Sequence, residues 1–218
     1  MPMRARDNPF STDRVLRVRH RLRGESWDSL FSRLAALNHR AAIVGPEGAG
    51  KTTLLEDLEP HLARKGFEIV PLRLTREQPA FAPDAIRRLR QQLGPRHLIL
   101  FDGAEQLGRW SWWRFQRVAR RAGGLVITSH RSGLLPTLIH CRTDAGLLAE
   151  IVAHLLDEPV ERHRDAAGRL FQKHRGNLRD ALRELYDDWA EQPTDRAECR
   201  LPDEGRHHDR TAACRRAG

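Results

Sequence analysis

The most constraining feature of the chain is a junction between two periodicities. Four apolar residues, Ala41-Ala42-Ile43-Val44, run directly into Gly45-Pro46-Glu47-Gly48-Ala49-Gly50-Lys51-Thr52, after which Leu54, Leu55, Leu58 and Leu62 recur on one helical face. The uninterrupted apolar run predicts a strand buried on both faces, as in parallel sheets. The recurrence predicts an amphipathic helix from Thr52 to Lys65, kinked or broken at Pro60 and stopped at Gly66. Between them, the spacing G-x-x-x-x-G-K-T lets the backbone curl so that successive N–H groups converge, and the helix N-terminus adds its positive end. Such a loop suits phosphate. By average residue frequencies, a chance match is on the order of one per cent in a chain this long, before its flanks are considered.

The candidate nucleotide contacts are therefore Gly45, Pro46, Glu47, Gly48, Ala49, Gly50, Lys51, Thr52 and Thr53. Lys51 brings a full positive charge to the outer phosphates. The Thr52 hydroxyl suits Mg²⁺, which keeps most of its water and prefers oxygen ligands.

Elsewhere strands and helices alternate. Ser26 caps a helix carrying Trp27, Leu30, Phe31, Leu34 and Leu37. Phe67 to Leu74, His97 to Asp102, Leu125 to Ser129 and Thr137 to Arg142 read as strands, with helices over Asp84 to Leu93 and Trp110 to Ala122. This alternation predicts an α/β fold, a parallel sheet covered on both faces with ligands at the carboxyl ends of its strands. From Asp144 the strand pattern stops, and Leu147 to Leu156, Arg162 to His174 and Leu178 to Trp189 read as helices. The expected division is a basic N-terminal arm over 1–24, a nucleotide-binding α/β domain over 25–143, a helical lid over 144–190 and a disordered polar tail over 191–218.

Two strand ends carry further chemistry. Asp102 closes an apolar strand, and a carboxylate there reaches the Mg²⁺ shell beside Thr52, so Thr52 and Asp102 are the candidate metal pair. Glu105, three residues on, polarises the attacking water or is a solvated residue opening the next helix. Thr128 and Ser129 present hydroxyls at the next strand end, ahead of His130 and Arg131, although such residues also form ordinary turns. Trp110, Trp112, Trp113 and Phe115 have the look of a nucleic-acid stacking platform. Because Trp110 and Trp113 lie one helical turn apart, they are assigned to the core instead.

Composition narrows the setting. The formal charge is +9, and only three of 38 basic residues are lysines; such a balance permits phosphate contacts with nucleic acid or an anionic surface, but the arginines are spread along the chain and read as solvated helix faces. Apolar runs are strand-length, which argues against membrane insertion, and the start lacks a signal-peptide core. Three cysteines make no disulfide framework, and Cys199, His207, His208 and Cys214 lack zinc-site spacing. A cytoplasmic location is expected.

Together, Asn8-Pro9-Phe10, the glycine-rich loop, the Asp102 strand, the Thr128-Ser129 strand end and Gly176-Asn177-Leu178-Arg179 resemble the AAA+ branch of P-loop ATPases over about residues 8–190. Bacterial ATPases of secretion and transposition systems and origin-recognition-type ATPases are the likeness in view. The resemblance implies a P-loop NTPase three-layer fold with a parallel sheet of order 5-1-4-3-2 and a small C-terminal helical lid. It implies ATP and Mg²⁺ and a lid arginine, Arg179, that contacts the γ-phosphate (sensor II); with the candidates read above, the catalytic set is Lys51, Asp102, Glu105, Ser129 and Arg179. Gly103 departs from the family's Asp-Glu pair, and Arg131 and Arg142 both stand as candidates for a trans-acting arginine finger. The function implied is a nucleotide-dependent switch or motor acting on a protein or nucleic-acid partner, with DNA and a homo-oligomer also in view. A small-molecule P-loop kinase and a binding-only module are the alternatives. No Asn-Lys-x-Asp motif for reading guanine occurs, so ATP is expected rather than GTP.

Overall fold

Five parallel strands form one sheet in the order β2-β3-β4-β1-β5. They are β1 (Arg40–Val44), β2 (Glu68–Arg73), β3 (His97–Asp102), β4 (Gly124–Ser129) and β5 (Thr137–His140). The computed structural model describes residues 8–11, 14–15, 18 and 25–191. The helices are α1 (Trp27–Ala36), α2 (Lys51–Arg64), α3 (Ala85–Gln92), α4 (Arg109–Ala119), α5 (Ala145–Leu156), α6 (Arg164–Lys173) and α7 (Leu178–Glu191). Read from the other edge, the strand order is the expected 5-1-4-3-2. This is a three-layer α/β fold of P-loop type with a C-terminal helical lid.

The period-2 geometry of the strands sorts the core into two faces. Ala42, Val44, Ile99, Phe101, Leu125 and Ile127 point toward α3 and α4, where Leu89, Trp112, Phe115 and Ala119 meet them. Ala41, Ile43, Leu98, Leu100 and Val126 point the other way, against Leu30 and Leu34 of α1 and Leu54, Leu58 and Leu62 of α2. Central β4 is buried along its whole length, whereas β2 lies at an edge and tolerates Pro71 there. Helices α5 to α7 build a separate cluster around Leu148, Val152, Leu178 and Leu182, which Phe10 joins. The Asn8 amide donates to the Tyr186 carbonyl at 2.8 Å and fixes that N-terminal turn on α7.

Three expectations need correction. Helix α2 runs through Pro60 to Arg64, so of the kink or break expected there the break does not occur. Proline deprives only the Glu56 carbonyl of its helical donor, and both residues lie on the exposed face, where losing a helical bond costs less than in the core. Second, β5 ends at His140 rather than Arg142. Third, Trp110 and Trp113 are not core: they are 74% and 46% exposed. The phase of α4 turns Trp112, Phe115 and Ala119 onto the sheet, and the two indoles at 110 and 113 fall on the opposite side. Of the tail expected over 191–218 only Glu191 is described, as the last residue of α7; the rest, the cysteine–histidine set at 199–214 and most of the arm expected over 1–24 lie outside the described residues. Among the described residues, no helix is long and apolar enough to cross a membrane.

Candidate nucleotide-phosphate site

Parallel pairing brings the strand ends into one row. Val44 is in register with Ser129 and His140, and Asp102 with Arg73, so Gly45, Asp102 and Thr128 share one edge of the sheet. A cleft lies between that edge and the helical layer, lined among others by Gly48, Lys51, Thr52, Asp102, Glu105 and Arg179.

The glycines of the loop do different work. Gly48 has φ +74°, a left-handed conformation that an L side chain adopts only with strain. At Gly45 the constraint is space: a Cβ would stand 2.5 Å from the Cys141 carbonyl oxygen. Cys141 follows β5 and donates its backbone N–H to the Val44 carbonyl at 2.7 Å, so β5 locks against the loop's first residue. Its thiol is buried and pushed up to about 11 by that burial, which leaves it protonated and unreactive at neutral pH.

Lys51 opens α2 and is 8% exposed. Its ammonium donates to the Pro46 carbonyl at 2.7 Å, folding the side chain back over the loop. Burial pushes its pKa below the usual lysine range, while the nearby Glu105, Cys141, Asp102 and Glu47 draw it upward. The Thr52 hydroxyl lies 3.2 and 3.1 Å from the two carboxylate oxygens of Asp102. Thr128 completes this arrangement: its hydroxyl donates to Asp102 Oδ1 at 2.7 Å and accepts from the Gly103 N–H at 2.8 Å. Asp102 is thereby held in one orientation from two sides, with Arg73 Nε 3.5 Å from Oδ2.

Gly103 is left-handed, φ +82°, and a Cβ there would run into the Leu74 carbonyl oxygen. Directly after it, a 3₁₀ turn over Ala104–Gln106 brings Glu105 back beside the cleft. Glu105 Oε1 lies 3.3 Å from His130 Nε2, whereas Oε2 is buried with no hydrogen-bond partner. An orphaned carboxylate oxygen beside a buried lysine calls for a donor from a ligand or water.

The structure does not bring every expected residue to the cleft. Ser129 is 1% exposed, accepts from the Arg131 N–H at 3.2 Å and donates to the Arg131 carbonyl at 2.7 Å, so its hydroxyl closes a local turn. Thr128 is the hydroxyl beside Asp102. Arg179 is exposed in the first turn of α7, on the cleft wall. The turn before it forms as its residue types dictate: Gly176 has φ +86°, and Asn177 Oδ1 accepts from the N–H groups of Arg179 at 3.0 Å and Asp180 at 3.3 Å. Arg142 lines the same cleft, while Arg131 lines a smaller recess behind the loop. Arg73 and His130 are neighbours of Asp102 and Glu105 that sequence reasoning did not assign to the site. Arg73 was findable as the carboxyl-terminal residue of the strand beside β3; the His130–Glu105 contact depends on loop geometry that no spacing encodes.

The donor set fits Mg²⁺ with a triphosphate. Among the described residues no cluster of three or more His, Cys, Asp or Glu forms a self-sufficient metal cage. A hydroxyl and a carboxylate 3.1 Å apart are instead oxygen groups of the kind that a hydrated Mg²⁺ takes. Comparison with protein-family models gives no match, and comparison with curated proteins gives none either.

Proposed function

We propose that the chain is an ATPase of AAA+ type, a nucleotide-dependent switch or motor acting on a macromolecular partner. The contact of Thr52 with Asp102 carries this reading, because it joins the loop helix to the β3 end at the point where a phosphate-bound Mg²⁺ needs oxygen ligands. Bound there, Mg²⁺ would neutralise charge on the β- and γ-phosphates. Lys51 would leave the Pro46 carbonyl for the phosphate oxygens, exchanging a neutral acceptor for an anionic one. Glu105, through its unpartnered Oε2, would orient the attacking water and take its proton as the γ-phosphorus bond to the bridging oxygen breaks. His130 would hold the other carboxylate oxygen. Arg179, on the cleft wall, would grip the γ-phosphate and couple its presence to the position of the helical lid.

The test is Mg²⁺-dependent ATP turnover by the full chain and by Glu105→Gln. The expected result is turnover by the wild type, with the variant binding ATP as tightly but turning it over at least about a hundredfold more slowly. Equal turnover in both proteins refutes the role of Glu105. Tight binding without wild-type turnover reduces the chain to the binding-only module.

A further inference from the structure

Helix α4 carries an outward face that the nucleotide site does not use. Trp110 is 74% exposed and Trp113 46%, with ring centroids 5.2 Å apart and planes at 64°. The Arg117 guanidinium lies 4.5 Å from the Trp113 ring centroid, so that indole is braced by a cation on one side and by Trp110 at its edge. Burying an indole is worth several times what burying a methylene is, and two exposed ones side by side are costly unless a partner covers them.

The charge around them has one sign. Arg109, Arg114, Arg117, Arg120 and Arg121 lie on α4 or just after it and are exposed, and no Asp or Glu occurs from Gln106 through Thr143. Neighbouring α3 adds the exposed Arg87 and Arg90; Arg121 reaches across to donate to the Arg90 carbonyl at 2.9 Å, tying the two helices into one surface. At its border Asp84 is engaged by Arg88 at 3.1 Å.

We propose that this α3–α4 face binds single-stranded DNA, with Trp110 as a stacking platform and the arginines as phosphate contacts. An anionic polymer complements an acid-free arginine surface, and unpaired bases are the planar groups that such a polymer offers to an exposed indole. Double-stranded DNA keeps its bases stacked inside and would leave the tryptophans bare. A deoxyribose strand is the polymer named, and oligo(U) in the experiment below tests that choice against RNA. This gives the switch proposed above its partner class, yet it rests on the α3–α4 surface rather than on the nucleotide site and is measured without nucleotide.

The experiment is fluorescence anisotropy of labelled oligo(dT), a duplex of equal length and oligo(U), titrated with the full chain, Trp110→Ala, and Arg114→Gln/Arg117→Gln. The expected result is preferred binding of oligo(dT), weakened roughly 5- to 150-fold by Trp110→Ala. The arginine pair variant should bind more weakly and show a shallower dependence on salt. Both changes are at exposed positions, and circular dichroism checks that the variants are folded. Equal binding of duplex, preference for oligo(U), or wild-type affinity in Trp110→Ala overturns the proposal. So does failure to bind oligo(dT) in a protein whose self-association is lost in Trp110→Ala, which would make the face a contact between copies. A Lys51→Ala variant that loses ATP but still binds oligo(dT) separates this surface from the nucleotide site.

Discussion

Gly48 and Asn177 are in direct apposition: a Cβ on Gly48 would run into Asn177 Oδ1, the same atom that caps α7. The glycine-rich loop and the helical layer therefore touch at a point where neither has room to grow. Gly48→Ala should destabilise the protein by about 1–2 kcal/mol from its left-handed backbone alone, and further by displacing the cap. Adding Asn177→Gly removes the obstructing side chain, so the double variant should be less destabilised than the sum of the two singles. Chemical denaturation of all four proteins measures that coupling. Strict additivity would show that the loop and the cap are energetically separate.

Gly103 explains why a glutamate does not follow Asp102. With φ +82° and the Leu74 carbonyl in the way, Gly103→Glu should cost about 2 kcal/mol or more, seen as a lower Tm. It should not raise ATP turnover, because Glu105 already stands beside the cleft. A stable variant with faster turnover would reverse this reading.

The strands, the helices between them and a sheet covered on both faces were legible because strand burial and helix periodicity are local signals; the strand order came only from the family resemblance, since which strands pair is written in neither signal. The loop from Gly45 to Thr52 and the turn Gly176-Asn177 were legible for the same reason: their residue types have few other uses. What the sequence hid depends on phase and on distance. Nothing in the spacing of Trp110, Trp112 and Trp113 alone says which face of α4 meets the sheet; the packing of Trp112, Phe115 and Ala119 decides it. Ser129 and Thr128 are adjacent hydroxyls, and strand alternation alone decides that Thr128 lies beside Asp102. The approach of Asn177 to Gly48 spans most of the chain and leaves no trace in either segment.

Lys51 sets stability against binding. Burial depresses its pKa, so the folded state disfavours the charged form relative to the unfolded state. The unfolded chain then binds the proton more tightly. That penalty is fully present below the folded pKa and fades as pH rises toward the unfolded value of about 10.4. Lys51→Met should therefore have a higher Tm than the wild type at pH 7, with the gap narrowing as pH is raised. The same change should weaken binding of ATP with Mg²⁺ by about ten- to a hundredfold, from loss of a charge-assisted contact of roughly 1.5–3 kcal/mol. Calorimetry of both proteins measures each effect; unchanged ATP affinity in the folded variant would falsify the assignment of the loop.

Arg179 tests whether the helical layer senses the nucleotide. It sits in the first turn of α7, where a cation opposes the positive end of the helix, so helix stability gives no reason for it. Its backbone N–H is held by Asn177, which touches Gly48 of the loop, so its position is tied to the phosphate cradle while its side chain stays exposed on the cleft wall. A guanidinium so placed has a use if a phosphate arrives within reach. ATP carries the γ-phosphate that ADP lacks, so Arg179→Ala should weaken binding of a non-hydrolysable ATP analogue by about tenfold and leave ADP affinity within about twofold of the wild type. Turnover should fall as well. The variant should remain folded, because Arg179 is exposed and the Asn177 cap uses only its backbone. Paired titrations of both proteins with both nucleotides give the ratio of the two affinities. If that ratio and the turnover are the same with and without the guanidinium, Arg179 is a surface residue whose stem covers apolar neighbours, and the lid is not read through it.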